Sequence, residues 1–164
     1  MISQAMTAAL NHQIKHELYS SYLYLSMAAY CDQQGLAGFA HWMKLQAEEE
    51  RGHAMKIYDY LLDNGVPVVL EALEQPPAKF GGPKQTFKAV LDHEHSITQR
   101  IHNLMAQAKE EHDYRTEVFL QWYVSEQLEE EKNAMDILQR IEMVEEKISA
   151  VMWIDKELKK RGGN

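Results

Sequence analysis

The sequence predicts an all-α fold, a four-helix bundle with one long crossover and a short fifth helix at the C-terminal end. Three observations lead there. Apolar residues recur at spacings of three and four along nearly all 164 residues. Only four prolines and eight glycines interrupt that period, and two Gly-Gly pairs hold half of the glycines. One strong breaker cluster, "PPAKFGGPK" from Pro76 to Lys84, divides the chain into two helical halves.

Helices are expected at about 4–33, 36–64, 84–111, 114–145 and 147–159. Gly35 stops the first helix and Asn64-Gly65 stops the second. Short links make neighbours antiparallel, so the first helix pairs with the second and the third with the fourth. From Val66 to Pro83 runs a connection of roughly 18 residues, long beside the few usual in a bundle. A link of that length can run the height of the bundle and start the third helix parallel to the second. The fifth helix carries Ile148, Val151, Met152 and Ile154 and is apolar enough to need a partner surface. The expectation is one domain over 1–164.

Composition narrows the function. The formal charge of −8 argues against nonspecific nucleic-acid binding and suits cations or cationic partners. No apolar stretch approaches the roughly 20 residues that span a bilayer. The N-terminal stretch lacks the charged and apolar regions of a signal peptide. Cys31 is the single cysteine, so no internal disulfide forms and a reducing cytosol is the simplest home. Cys31 itself is expected as a small buried hydrophobe.

The inner line of each long helix carries the chemistry. The first helix reads Leu10, Ile14, Glu17, Ser21, Tyr24, Ala28, and the second reads Phe39, Met43, Gln46, Glu50, His53, Ile57, Tyr60. The third reads Phe87, Val90, Glu94, Ile97, Ile101, Leu104. The fourth reads Phe119, Tyr123, Gln127, Glu130, Ala134, Ile137, Ile141. Every line is broken near mid-helix by a glutamate, so the four can meet at a similar height. A lone glutamate on an apolar stripe is ordinarily a boundary residue whose head reaches water. Four at matched depth are different, because burying even one unpaired carboxylate costs several kcal/mol. No Lys or Arg stands in these lines. Two divalent cations would balance the four charges, with His53 a neutral nitrogen ligand on the face of Glu50. Carboxylates with one imidazole suit iron or manganese rather than structural zinc.

Those residues also carry a resemblance. "HEL" at Glu17, "EEERGH" at 48–53, the Glu94 line and "SEQLEEE" at 125–131 closely resemble bacterial non-haem ferritins, and the likeness covers essentially the whole chain. It implies a ferritin-like bundle in which one iron is bound by Glu17, Glu50 and His53. A second is bound by Glu50, Glu94 and Glu130, with Glu50 bridging. Gln127 and Tyr24 match residues beside the pair. Glu49, Glu126 and Glu129 match a third iron position that shares Glu130. The implied activity is iron storage with ferroxidase chemistry: two Fe(II) per subunit give electrons to O2, or to H2O2, and ferric oxide collects in a hollow cytoplasmic shell. That shell is a homo-oligomer of twenty-four subunits, and the fifth helix lines its fourfold axes.

Departures from related families matter as well. Bacterioferritins and rubrerythrin-like proteins carry a second Glu-x-x-His on the fourth helix, where this chain has Gln127-x-x-Glu130. A haem-ligating Met directly follows the second-helix Glu in bacterioferritins; here it is Arg51, so no haem is expected. His93 and His95 flank Glu94 but point off its line and are expected at solvated or interface positions. His12, His16, His41, His102 and His112 show no ligand spacing among themselves and receive no metal role. Of the four tyrosines Tyr19, Tyr22, Tyr24 and Tyr30, only Tyr24 shares the face of Glu17. Two rival readings stand beside storage: a dinuclear-iron oxidase or peroxidase of the same fold that stores nothing, and a metal-free helical interaction protein. Native mass separates the first and metal content the second.

Overall fold

The computed structural model describes residues 2–145 and 147–162, and among these there are five helices and no strand. They are α1 (Gln4–Gln33), α2 (Ala37–Asp63), α3 (Pro83–Glu110), α4 (Tyr114–Met143) and α5 (Ile148–Leu158). Local chemistry sets their ends. The Ser3 side chain accepts from the Met6 N–H at 2.9 Å and caps α1. Gly35, at φ 77°, closes α1 in a Schellman turn, with Leu36 N–H donating to Cys31 O at 3.0 Å. Gly65, at φ 69°, does the same for α2. The α3–α4 corner takes a left-handed residue that is not glycine, His112 at φ 54°, after which Asp113 caps α4. The fourth helix ends two residues earlier than the sequence predicts, since Glu145 adopts φ 49°.

Hydrogen bonds fix the directions. Ser3 at the start of α1 bonds Glu111 just past the end of α3, whereas Ser20 and Tyr24 farther along α1 meet His93 and Glu94 nearer the start of α3, so the two helices are antiparallel. The same holds for α2 and α4 through Gln46–Glu130, His53–Tyr123 and Tyr60–Thr116. The crossover climbs along α1 in the same direction. Asn11 holds Pro67 and Val69, Lys15 pairs with Glu74 at 2.7 Å, and Ser26 donates to Pro77 O at 2.6 Å. It delivers α3 to the top of α1, parallel to α2, as the length of the link predicts.

Two apolar halves make the core. Tyr24, Met27, Phe39, Met43, Phe87, Val90 and Ile141 fill one, joined by Val151, Ile154 and Leu158 of α5. Met6, Leu10, Ile14, Ile57, Leu61, Ile97, Ile101, Leu120 and Tyr123 fill the other. Each interior is close-packed hydrocarbon, and the inner glutamates lie in the belt between them. The inner lines fray slightly at their margins. Ser20 rather than Ser21 is buried on α1, and Tyr60 and Phe119 are half-buried and stack at 3.8 Å.

The apolar residues of α5 divide between two faces. Val151 and Ile154 face inward, whereas Ile148 and Met152 are exposed, together with Trp153. The helix also does a task that its sequence does not announce. Buried Asp155 accepts from the Gly38 and Phe39 N–H groups, at 2.8 and 3.0 Å, and so caps α2, whose own Leu36 offers no side-chain cap. Glycine is required at 38, because a Cβ there would stand 1.7 Å from Asp155 O.

Candidate metal centre

Glu17, Glu50, Glu94 and Glu130 are each at most 4% exposed, as is His53 between them. Two overlapping groups result, and within each the potential ligand atoms lie within 4.8 Å of one another. One is Glu17, Glu50 and His53; the other is Glu50, Glu94 and Glu130. Glu50 belongs to both. His53 directs Nδ1 at Glu50 Oε2, 3.4 Å away, and at Glu17 Oε2, 4.0 Å away. Tyr123 donates to the His53 carbonyl at 2.6 Å and fixes this turn of α2 against α4.

The carboxylates are aimed by amides. Gln13 donates to Glu17 Oε1 at 2.8 Å. Gln46 donates to Glu50 Oε1 at 3.1 Å and to Glu130 Oε2 at 2.7 Å. Gln127 donates to Glu94 Oε2 at 3.2 Å and also reaches the Glu94 carbonyl and Thr98. The Tyr24 hydroxyl donates to Glu94 Oε1. Glu17, Glu50 and Glu130 thus each have one oxygen held by a neutral donor, and Glu94 has both. Glu17 Oε2, Glu50 Oε2 and His53 Nδ1 are buried with no hydrogen-bond partner, as is Gln46 Oε1. Such orphans are rare in folded proteins and call for a missing partner.

Electrostatics point the same way. Burial, and then the neighbouring acids, push Glu17 and Glu50 well above the ordinary carboxylate range. Burial raises Glu94 against the hydrogen bonds from Tyr24 and Gln127. Burial with Glu94 and Glu49 pushes Glu130 up to about 8. Tyr24, pushed well above its usual value by burial and Glu94, remains a neutral donor. Among the described residues no Lys or Arg is buried, so the compensating charge must come from outside the chain. Two carboxylate-rich pockets with a shared carboxylate and one imidazole fit a pair of hard or borderline divalent ions.

A third group flanks this pair. Glu49, His53, Glu126 and Glu130 bring ligand atoms within 4.8 Å, with Glu126 Oε1 3.5 Å from His53 Nε2. Glu49 is half-exposed and bound by Arg161 Nη2 at 2.6 Å. Arg161 follows α5, lies over the Trp42 ring at 4.6 Å and donates to Trp42 O at 3.2 Å. Glu129 is exposed, and the structure does not bring it into this group.

The structure also shows what the sequence reading passes over. Gln13 and Gln46 each stand four residues before a buried glutamate, a repeated Gln-x-x-x-Glu that signals an aiming hydrogen bond. Arg161 gives no such sign, since its contact with Glu49 spans most of the chain. His93 is not solvated: it is half-buried, 2.7 Å from Ser20 Oγ and edge-on to Tyr24. Burial, then His16 and Arg100, push it down to about 4. His95 is exposed, as expected, near Glu131. Cys31 is buried, and burial raises its thiol to about 11.

Comparison with known proteins agrees with this geometry. A family model for the ferritin-like domain matches residues 7–144. A bacterial non-heme ferritin of Staphylococcus epidermidis is 37% identical over 164 residues, 100% of this chain and 99% of the relative. A probable bacterial non-heme ferritin-like protein of Haemophilus influenzae is 40% identical over 158 residues, 96% of each chain. Among solved structures, an open-pore ferritin from the hyperthermophilic archaeon Archaeoglobus fulgidus superposes with a TM-score of 0.97 at 47% identity, covering 98% of this chain and 99% of that one. An engineered closed form of the Archaeoglobus fulgidus ferritin gives 0.98 at 46% identity, covering both chains completely.

Proposed function

The chain belongs to the ferritin family, and on that footing we propose that it stores iron and oxidises it at the buried carboxylate centre. Iron is the substrate. One Fe(II) is taken by Glu17, Glu50 and His53, the other by Glu50, Glu94 and Glu130, with Glu50 between them. The observation that carries this reading is the set of orphaned buried atoms, Glu17 Oε2, Glu50 Oε2 and His53 Nδ1. They face one another where only a cation relieves both their repulsion and their lost hydration.

The two ions together supply two electrons, which reduce one O2 to hydrogen peroxide as two protons are taken up. The carboxylates favour the ferric product, the harder and more highly charged ion. The chain's own part is geometric and electrostatic. Gln13 and Gln46 each hold one oxygen of Glu17 and of Glu50 and leave the other pointing inward, and Gln46 and Gln127 steady Glu130 and Glu94. Tyr24 keeps Glu94 in place from the far side. The flank group of Glu49, Glu126 and Glu130 takes a further iron on its way out of the centre.

The product has to be contained, so the reading includes a hollow homo-oligomeric shell of twenty-four subunits in the cytoplasm. Exposed Ile148, Met152 and Trp153 on α5 supply apolar surface for contacts between subunits. Among the described residues no helix is long and apolar enough to cross a membrane. The test is anaerobic Fe(II) binding read together with native mass. Two tight equivalents per subunit and a mass of twenty-four chains are expected. A small species with two irons would instead mean a non-storing oxidase, and a species without tight iron would mean neither.

A further inference from the structure

His12 and His16 stand one turn apart on α1, off the line of Glu17, and the structure brings their rings together. Their Nε2 atoms are 3.0 Å apart and the ring planes are nearly perpendicular, at 87°. His12 Nδ1 lies 3.2 and 3.1 Å from the two carboxylate oxygens of Glu71, on the crossover that climbs α1. This contact fixes the tautomer. Nδ1–H donates to Glu71, which leaves the His12 Nε2 lone pair free to accept, and His16 Nε2–H donates to it. Moving that one proton to His16 Nδ1 frees both Nε2 lone pairs, and a small rotation of each ring turns them towards one ion.

We propose that His12 and His16 form a second metal site, separate from the carboxylate centre, that takes an imidazole-preferring divalent ion, copper(II) or nickel(II). Glu71 is its positioning residue, and water completes the coordination. The separation selects the geometry. With metal–nitrogen bonds of about 2.0–2.1 Å, nitrogens 3.0 Å apart subtend about 91–97°, close to the angle between neighbouring ligands in a tetragonal or octahedral site. A tetrahedral ion would need them about 3.4 Å apart. Among first-row ions, nitrogen ligands bind copper(II) most strongly. A carboxylate on the remote nitrogen of a ligating histidine is the usual outer-shell support.

The surroundings permit a cation. His16 is half-buried, with Arg100 and Lys15 as its neighbouring bases. Lys15 is itself paired with Glu74 at 2.7 Å and stands 3.9 Å from Glu71. Two acids therefore balance the two bases around the pair. His12 is half exposed, which leaves an open approach.

Electron paramagnetic resonance of metal-free protein carrying less than one copper(II) per subunit tests the site. The expected spectrum shows superhyperfine coupling to two nitrogens. The carboxylate centre offers a single imidazole, so the nitrogen count tells the two apart. His12→Gln and His16→Gln should each remove the two-nitrogen signal and one equivalent of bound copper by equilibrium dialysis. Both side chains lie toward the surface, so thermal melts should remain those of wild type. His53→Ala should keep the signal. Glu71→Gln should keep two nitrogens and weaken copper binding by about tenfold or more. A wild type without a two-nitrogen signal overturns the site, and so does a signal that persists in both histidine variants.

Discussion

Two groups of acids share His53 and Glu130 and differ in what surrounds them. The centre of Glu17, Glu50, Glu94 and Glu130 is sealed between two apolar halves of the core, and its partners are neutral amides and a phenol. The flank of Glu49 and Glu126 opens towards solvent, and its outer acid already holds a cation, the Arg161 guanidinium. The first group is built with its charge missing; the second carries its own counter-charge. A buried ligand set of this kind binds tightly and accepts few substitutions, whereas a screened one exchanges. Substitutions should therefore have large effects in the centre and small ones at the flank.

Glu50→Ala carries the largest expected effect. Removing a residue that only orients a ligand costs about 10–100-fold in metal affinity or activity, and Glu50 belongs to both ligand groups of the proposed centre. Initial Fe(II) oxidation at two equivalents per subunit should fall by about 100-fold or more in stopped-flow absorbance. A Glu50→Ala protein that oxidises iron at the wild-type rate would remove the centre from its proposed role.

Gln46→Leu comes next. Among the described residues Gln46 is the one donor that reaches both Glu50 and Glu130. Its loss should leave the ligands present but misaimed, lowering affinity for the second Fe(II) by about 10–100-fold. Anaerobic titration calorimetry reads this directly, and an unchanged second binding step would mean that the helices alone aim the two acids.

Most of this contrast was legible in the linear chain, and the reason is periodicity. Glu17, Glu50, His53, Glu94 and Glu130 announce themselves because each breaks an apolar line at a spacing that one helix face must share. The same logic gave the crossover, since a long link between helical halves admits few routes. What escaped detection lacks that local signature. Asp155 capping α2 and Arg161 pairing with Glu49 are contacts across more than 100 residues, set by where α5 docks. Glu129 illustrates the converse failure: its spacing from Glu126 fits a shared face, yet the helix turns it to solvent. His12 and His16 are different: their four-residue spacing does put both rings on one helix face, a sign the sequence reading passes over, and the folded crossover adds Glu71 to orient them.

The missing charge should also appear in stability. The folded pKa of Glu130 is raised to about 8, while the unfolded chain ionises it near its ordinary value of 4.5. Between those two values the folded state binds more protons than the unfolded one. The Glu130 contribution is therefore fully present below about 4.5 and is lost as pH rises through about 8. Glu17, Glu50 and Glu94 shift in the same direction and add to the slope. Metal-free protein should thus melt at progressively lower temperature across this window, and bound metal should remove the trend. Glu130→Gln should flatten the slope and raise the metal-free melting point by roughly 2–4 °C for each kcal/mol recovered. A flat wild-type profile would mean that these acids are neutralised by the chain itself.

The smallest effect belongs to the flank, where a half-exposed ion pair competes with a half-exposed metal position. Arg161 and Glu49 retain 25% and 38% of their side-chain exposure, so their pairing contributes at most about 1 kcal/mol. Iron at the flank must displace the guanidinium from Glu49 and tolerate its charge nearby. Arg161→Gln removes both obstacles, so a third Fe(II) should bind more tightly, by no more than about fivefold. The fast oxidation of the first two should not change. Glu49→Ala should weaken the third equivalent, and Glu129→Ala should leave it as in wild type. The loss of Arg161 also uncovers Trp42 and could loosen the chain after α5, so affinity changes in the single variant need a control. The double variant Arg161→Gln, Glu49→Ala supplies it. If Arg161 acts by occupying Glu49, the double variant matches Glu49→Ala alone. If the two changes simply add, Arg161 acts on the third iron through packing, and the contrast between a sealed centre and a self-neutralised flank loses its second half.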